Sequence, residues 1–256
     1  MLDQLLPPSM FQSIALLPQA DMPVTLLTRH SIRELANGQG LAGYNLQLTE
    51  SGRNLAYAWG AYLLQHSDRY IAQCISSPIQ RCLDTASLMI AGAAQLDETQ
   101  AFEDIQQDAN IDIVEQGLLV EPGSFVVDIN QAAPYFRAQG ALGFMNSFIR
   151  HDLPGMKHPI RGVLDILELL YKQSCDQAHR LNLAVSHDTI LAALIAVIAG
   201  QQQILPQDWP EMMEGLFIWF EGDYFADAEL HWIWRAEHHQ VSIAHLLQQL
   251  RVAPVD

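Results

Sequence analysis

Arg29 and His30 stand side by side, Arg33 follows three residues later, and Arg81 and the pair His187-Asp188 lie far along the chain. Pooled, they make three guanidiniums, two imidazoles and one carboxylate, a set suited to a small, highly charged anion. Arginine's planar fork binds two phosphate oxygens at once. Three of the eleven arginines fall here, in a chain with 29 acidic and 13 basic side chains. Phosphate is the expected ligand. A histidine held among arginines stays neutral near physiological pH because neighbouring positive charge lowers its pKa, and its free ring nitrogen can then attack phosphorus.

These residues need elements that bring them together, and three segments share one logic. Val24-Thr25-Leu26-Leu27-Thr28 is a short apolar, β-branched run that stops at Arg29-His30. Tyr70-Ile71-Ala72-Gln73-Cys74-Ile75 stops at Ser76-Ser77-Pro78, ahead of a helical pattern holding Arg81 and Thr85. Leu181-Asn182-Leu183-Ala184-Val185 stops at Ser186-His187-Asp188, ahead of an apolar helix from about Thr189 to Ala199, closed by Gly200. Runs of this kind read as buried parallel strands. In an open parallel sheet, ligands bind outside the carboxyl ends of the strands. All three polar clusters are thus expected on one edge.

Between the first two strands, Leu48-Thr49-Glu50-Ser51-Gly52 reads as a helix start, with Leu55, Trp59, Tyr62 and Leu63 following at helical spacing. From about residue 93 to 160 the periodicity weakens and Gly117, Pro122, Gly123, Pro134, Gly140 and Gly143 are scattered. That stretch reads as a small, mostly helical insert shaping the pocket rather than as more sheet. A long helix carrying Val163, Ile166, Leu167, Leu170 and Tyr171 should follow. Leu216–Phe220 and His231–Trp234 read as a C-terminal β-hairpin. The expected fold is α/β: one domain over 1–256, a mainly parallel central sheet flanked by helices.

The 256 residues suffice for a sizeable core, and 50% hydrophobic with 16% charged residues is opposite to the composition of disordered chains. A formal charge of −16 leaves no basic stripe for nucleic acid or anionic lipid. The longest apolar run, Ile190 to Ala199, is too short to span a bilayer, and the amino terminus lacks the basic flank of a secretory signal. Cys74, Cys82 and Cys175 fit neither a disulfide framework nor a four-ligand zinc site, so a reducing, cytoplasmic setting is expected. His151, His158, His231, His238 and His239 show no metal-ligand spacing. No metal or cofactor is expected, and the expected partner is a small phosphomonoester. The residues specify no oligomeric state.

Thr28-Arg29-His30-Ser31-Ile32-Arg33, Ser77 to Thr85 and His187-Asp188-Thr189 resemble, in order, the three signatures of the histidine phosphatase superfamily, with its phosphoglycerate mutase-like fold. The His-Asp pair is similar to that of the histidine acid phosphatase and phytase branch. Leu48-Thr49 with Gly52, Ala56 and Gly60 is similar to the family's first long helix, and the resemblance covers roughly 24–92 and 181–235. It implies that His30 is the nucleophile that becomes phosphorylated. It further implies that Arg29, Arg33, Arg81 and His187 hold the phosphoryl oxygens, and that Asp188 protonates the leaving oxygen and then assists water. Ser31 stands where the family usually has glycine, and Glu34-Leu35 lacks the proline common in that branch.

Simpler readings stand beside these. Asp188, ahead of an apolar helix, is either a helix cap or a catalytic acid. Ser186-His187-Asp188 has the letters of a hydrolase triad, but sequence neighbours point in different directions. The cluster of Trp219, Trp232 and Trp234 reads as hairpin core. Functionally, a phosphomonoesterase is expected. A mutase-like phosphotransferase is the first alternative; its acid would come from the middle segment, where Glu103 and Glu115 are candidates. A non-catalytic phosphate-binding protein is the other.

Overall fold

Val24–Arg29 (β1) is buried at every position, as a strand covered on both faces must be. In the structure, a computed structural model, residues 2–35, 43–121, 123–174 and 178–252 are described. Pro122 and Cys175 therefore lie outside the described residues. Two short helices, α1 (Leu2–Leu5) and α2 (Pro8–Ile14), precede β1. Then come α3 (Glu50–His66), β2 (Tyr70–Ser76), α4 (Gln80–Ala94), α5 (Phe102–Ala109), β3 (Ile113–Glu115), α6 (Ile129–Ile149) and α7 (Pro159–Gln173). The chain continues with β4 (Arg180–Ser186), α8 (Asp188–Ile198), β5 (Gly215–Glu221), β6 (Glu229–Trp234), β7 (Glu237–Ser242) and α9 (Ile243–Val252).

The strands form one sheet in the order β3-β2-β4-β1-β5-β6-β7. β3, β2, β4 and β1 are parallel, whereas β5, β6 and β7 are antiparallel, so the central sheet of this α/β fold is mixed, its parallel part extended by the C-terminal antiparallel strands. One apolar cluster packs α6, α7, α8 and α9 on one face, and a second packs α2, α3, α4 and α5 on the other. Trp219 and Trp232 belong to these two different clusters, so the expected tryptophan core is split across the sheet.

Two elements differ from the sequence reading. Ile113-Val114-Glu115, inside the stretch expected to hold no further sheet, pairs with β2 as an edge strand. Three residues are too few to carry an alternating pattern. The hairpin gains a third strand, β7, through a two-residue turn at Arg235 and Ala236, both with positive φ (50° and 62°). Turns of this shape usually announce themselves with Asn-Gly or Asp-Gly, and here they do not.

The parallel half positions the chemistry. Thr49 caps α3 by accepting from the Gly52 N–H at 3.0 Å, which fixes that helix below the β1 exit. α3 buries Leu55, Trp59 and Leu63 and lies close against α4: a Cβ on Gly60 would collide with the Met89 carbonyl. The ladder extends one residue past the strands, with His30 N–H donating to Ser186 O at 2.9 Å and Ser77 N–H to Val185 O at 2.9 Å. The described helices include none long and apolar enough to cross a membrane.

Candidate active site

β4 lies between β1 and β2, so the residues leaving these three strands meet at one edge. His30 and His187 face each other there, ring centroids 5.5 Å apart and planes at 72°. Both are buried. His30 Nδ1 lies 2.8 Å from the Ser31 carbonyl, which can only accept. The proton therefore sits on Nδ1 and the Nε2 lone pair is free. Burial, followed by the charge of Arg81 and the proximity of His187, holds the His30 pKa well below the ordinary imidazole value. His30 is a neutral base at physiological pH.

His187 carries the opposite tautomer. Arg81 Nη2 donates to its Nδ1 at 3.2 Å, and guanidinium has no lone pair to offer in return. Nε2 then bears the proton, within 2.9 Å of the Ser77 hydroxyl. Burial, with Arg81, Arg29 and Arg33 after it, pushes the His187 pKa down to about 3. Cys82 Sγ is 3.6 Å from the same Nε2, and burial pushes its thiol up to about 12.

The guanidiniums are less free than the sequence suggests. Arg29 donates from Nη1 to the Pro210 carbonyl at 2.6 Å and from Nη2 to Asp188 Oδ2 at 2.6 Å. Arg81 also reaches the Gly43 carbonyl at 3.2 Å. Arg33 bonds the Glu34 carbonyl at 2.9 Å, yet its charge still acts on Arg29, Arg81 and His187. Arg29 Nε and Arg81 Nε are buried and meet no hydrogen-bond acceptor among the described residues. A buried N–H left this way costs about 1–3 kcal/mol, more on a charged group, unless a ligand satisfies it.

Ser31 turns away from the pocket. Its hydroxyl donates to the Gly52 carbonyl at 2.7 Å, and its N–H donates to Thr85 Oγ1 at 3.0 Å. The extra hydroxymethyl group ties the His30 loop to α3 instead of narrowing the site, while the backbone N–H makes the link to α4. Asp188 is the first residue of α8 rather than its cap; His187 holds the cap position. Asp188 Oδ1 accepts from the Thr189 N–H at 2.9 Å.

Sequence reasoning missed Glu121. It is buried, with Oε2 3.9 Å from His187 Nδ1. Because that nitrogen accepts from Arg81 and His187 is neutral, this approach is not an ion pair. Burial and then Asp188 raise the Glu121 pKa to about 7, against the pull of Arg81 and Arg29. Glu103 and Glu115, the carboxylates considered from the middle segment, are both exposed on α5 and β3. A signal for Glu121 existed: it is the one acid adjoining the apolar stretch Gly117-Leu118-Leu119-Val120, next to a Pro-Gly pair.

Residues 25–109 match the family model described as the histidine phosphatase superfamily (branch 1). A search of curated proteins gave no match. Among solved structures, one described as mycobacterial hydrolase 2 is similar with a TM-score of 0.54 at 16% identity, over 90% of this chain and 97% of that one. A mycobacterial glucosyl-3-phosphoglycerate phosphatase gives 0.52 at 15% identity, over 84% and 99%. The phosphoglycerate mutase from Bacillus anthracis str. Sterne gives 0.50 at 14% identity, over 90% and 98%. At these identities the likeness is one of fold.

Proposed function

We propose that this chain, whose residues 25–109 fit the histidine phosphatase superfamily (branch 1), hydrolyses a small phosphomonoester through a phosphohistidine on His30. One observation carries the reading: a neutral imidazole with its Nε2 lone pair free, beside Arg29 and Arg81 whose buried Nε groups await an acceptor. Phosphoryl transfer is mostly positioning and charge stabilisation, and this arrangement offers both.

In the first step His30 Nε2 bonds to phosphorus while the ester P–O bond breaks, and the leaving oxygen takes a proton. In the second, water attacks phosphorus, the N–P bond breaks, and the water's proton passes to the carboxylate that gave one up. Arg29, Arg33 and Arg81 hold the phosphoryl oxygens, and neutral His187 joins them through Nδ1–H in its other tautomer, with the Ser77 hydroxyl then donating to Nε2 instead of accepting from it. Glu121 is our choice of proton donor. Its pKa of about 7 keeps a substantial protonated fraction at neutral pH, which a general acid needs. Asp188 already accepts at both oxygens, from Arg29 and from the Thr189 N–H, and would have to release one contact to donate.

A second reading keeps Asp188 as the donor, in the manner of the acid phosphatase branch; its side chain is 18% exposed and thus within reach of a leaving group. A mutase-like transferase is favoured only by the origin of Glu121 in the middle segment. The buried free thiols Cys74 and Cys82 support a reducing, cytoplasmic setting. The test is turnover of p-nitrophenyl phosphate by wild type and His30→Ala, with rapid acid-free quench to trap a base-stable phosphoenzyme. Hydrolysis and adduct that both vanish in the variant support the reading. An adduct that persists in it assigns the nucleophile elsewhere, and transfer to an added alcohol in preference to water would favour the transferase.

A further inference from the structure

The segment running from Gln207 to Glu214 passes beside the exit of β1 and touches it repeatedly. Thr28 Oγ1 donates to the Met213 carbonyl at 3.0 Å, Arg29 N–H to the Glu214 carbonyl at 3.0 Å, and Met213 N–H to the His30 carbonyl at 3.4 Å. Within it, the Pro210 carbonyl takes the 2.6 Å bond from Arg29 Nη1. The direction of the Arg29 side chain thus depends on where that carbonyl sits.

That carbonyl is bracketed from a distance. Glu214 is only 2% exposed, and Arg235 holds its carboxylate in a two-point grip, Nε to Oε1 at 2.9 Å and Nη2 to Oε2 at 3.1 Å. The same guanidinium bonds the carbonyls of Gln207 and Trp209, while Glu214 Oε2 accepts from the Glu211 N–H at 2.9 Å. Both neighbours of Pro210 in the chain are therefore tied to one ion pair, whose carboxylate is buried and whose guanidinium is half-buried. The arrangement stores backbone strain: Arg235, Ala236 and Met213 all have positive φ (50°, 62° and 62°) although none is glycine. Such conformations persist only where the surroundings over-determine them.

We propose that Arg235, acting through Glu214 and the 207–214 segment, is a positioning residue that aims Arg29 at the phosphoryl group. This rests on the reading of Arg29 as a phosphate ligand. No other route from the turn to the site is needed: Arg235 sits between β6 and β7, on the antiparallel side of the sheet, and reaches Arg29 through a single loop.

The test is a double-mutant cycle read by inorganic phosphate as competitive inhibitor of p-nitrophenyl phosphate turnover, at a temperature where every variant is folded. Arg235→Ala should raise the inhibition constant and KM about tenfold, the scale of a ligand displaced by a fraction of an ångström, with a smaller change in kcat. In an Arg29→Ala background the same change should have almost no further effect, because the residue it positions is gone. Arg235→Lys, unable to grip both oxygens, should fall between. Ala236→Gly relieves positive φ without touching the ion pair, and should alter thermal stability while leaving phosphate affinity unchanged. Should Arg235→Ala fail to fold, Glu214→Gln takes its place in the cycle. Wild-type phosphate affinity in the folded Arg235 variants, or an equal loss with and without Arg29, overturns the proposal while leaving Arg29 as a ligand. An Arg29→Ala variant with undiminished phosphate affinity overturns the underlying reading as well.

Discussion

The carboxylate of Asp188 grips Arg29 at 2.6 Å from the first turn of the helix that His187 caps. One phosphate ligand is thus aimed by the residue adjoining another. With Glu121 as donor, the main work of Asp188 is to hold Arg29. Asp188→Asn keeps the shape and the bond to the Thr189 N–H but weakens the grip, so substrate affinity should fall for every ester alike. A general acid would act differently, since it matters in proportion to how poorly the leaving group departs unaided. Single-turnover phosphorylation by an alkyl phosphate and by p-nitrophenyl phosphate separates the two. Slowing confined to the alkyl ester would return the donor role to Asp188.

Glu121 makes the complementary prediction. Its folded-state pKa, raised to about 7 mainly by burial, places the protonated acid below that pH, while His30 stays neutral far into the acid range. Turnover of an alkyl phosphate should therefore hold steady at mildly acid pH and decline as pH rises through about 7. Glu121→Gln should lower that turnover by about 10²- to 10⁴-fold, the usual contribution of a positioned acid, and abolish the decline. A profile with the same alkaline limb in the variant would assign the limb to another group.

The parallel half of this fold is written in its sequence because buried strands leave an unmistakable mark: an apolar run that ends abruptly in Arg29-His30, Ser76-Ser77 or Ser186-His187. The same runs bring Arg29, His30, Arg81 and His187 together, since β4 between β1 and β2 puts their ends side by side. What is not written is anything set by loops. Glu121 reaches the site from an irregular turn with no period to reveal it, and the ion pair of Asp188 with Arg29 depends on side-chain direction. β7 escapes because Glu237, His238, His239 and Gln240 are polar and the turn before them uses Arg235-Ala236.

Ser31 and Gly52 offer a test of how the nucleophile loop is held. Ser31→Ala removes the 2.7 Å bond to the Gly52 carbonyl but nothing that faces the phosphate pocket, so it should cost about 1 kcal/mol of stability with turnover nearly retained. Gly52→Ala is harsher, since its Cβ would collide with the Ile32 carbonyl. Backbone, not a flexible side chain, would have to yield, and the displaced segment includes His30. A loss of about 1–3 kcal/mol is expected together with a fall in kcat/KM. Denaturant midpoints and initial rates on both variants decide it, and a Ser31→Ala enzyme that folds normally but has lost phosphate affinity would put the hydroxyl back in the pocket.

Thermal stability should carry a signature of three buried titrating groups, the two histidines with one sign and Glu121 with the other. The His187 pKa is depressed from about 6.5 to about 3, so between these values the unfolded chain binds more protons than the folded one. Its contribution is complete above about pH 6.5 and is lost as pH falls towards 3. His30, depressed in the same direction, adds to this. Glu121, raised from 4.5 to about 7, works the other way: its contribution is complete below 4.5 and is lost as pH rises to 7. From pH 6.5 down to 4.5 the two changes oppose each other, and only below 4.5 do the histidines act alone. Wild type should therefore lose stability gently over the first interval and steeply over the second. In Glu121→Gln the opposing change is absent, so its midpoint should fall more steeply than wild type's between about pH 6.5 and 4.5. The difference between the two Tm curves isolates Glu121 from the other carboxylates, which titrate in both proteins. Parallel curves from pH 7 to 4 would mean that Glu121 is ionised at neutral pH, and the proton it is proposed to donate would have to come from Asp188.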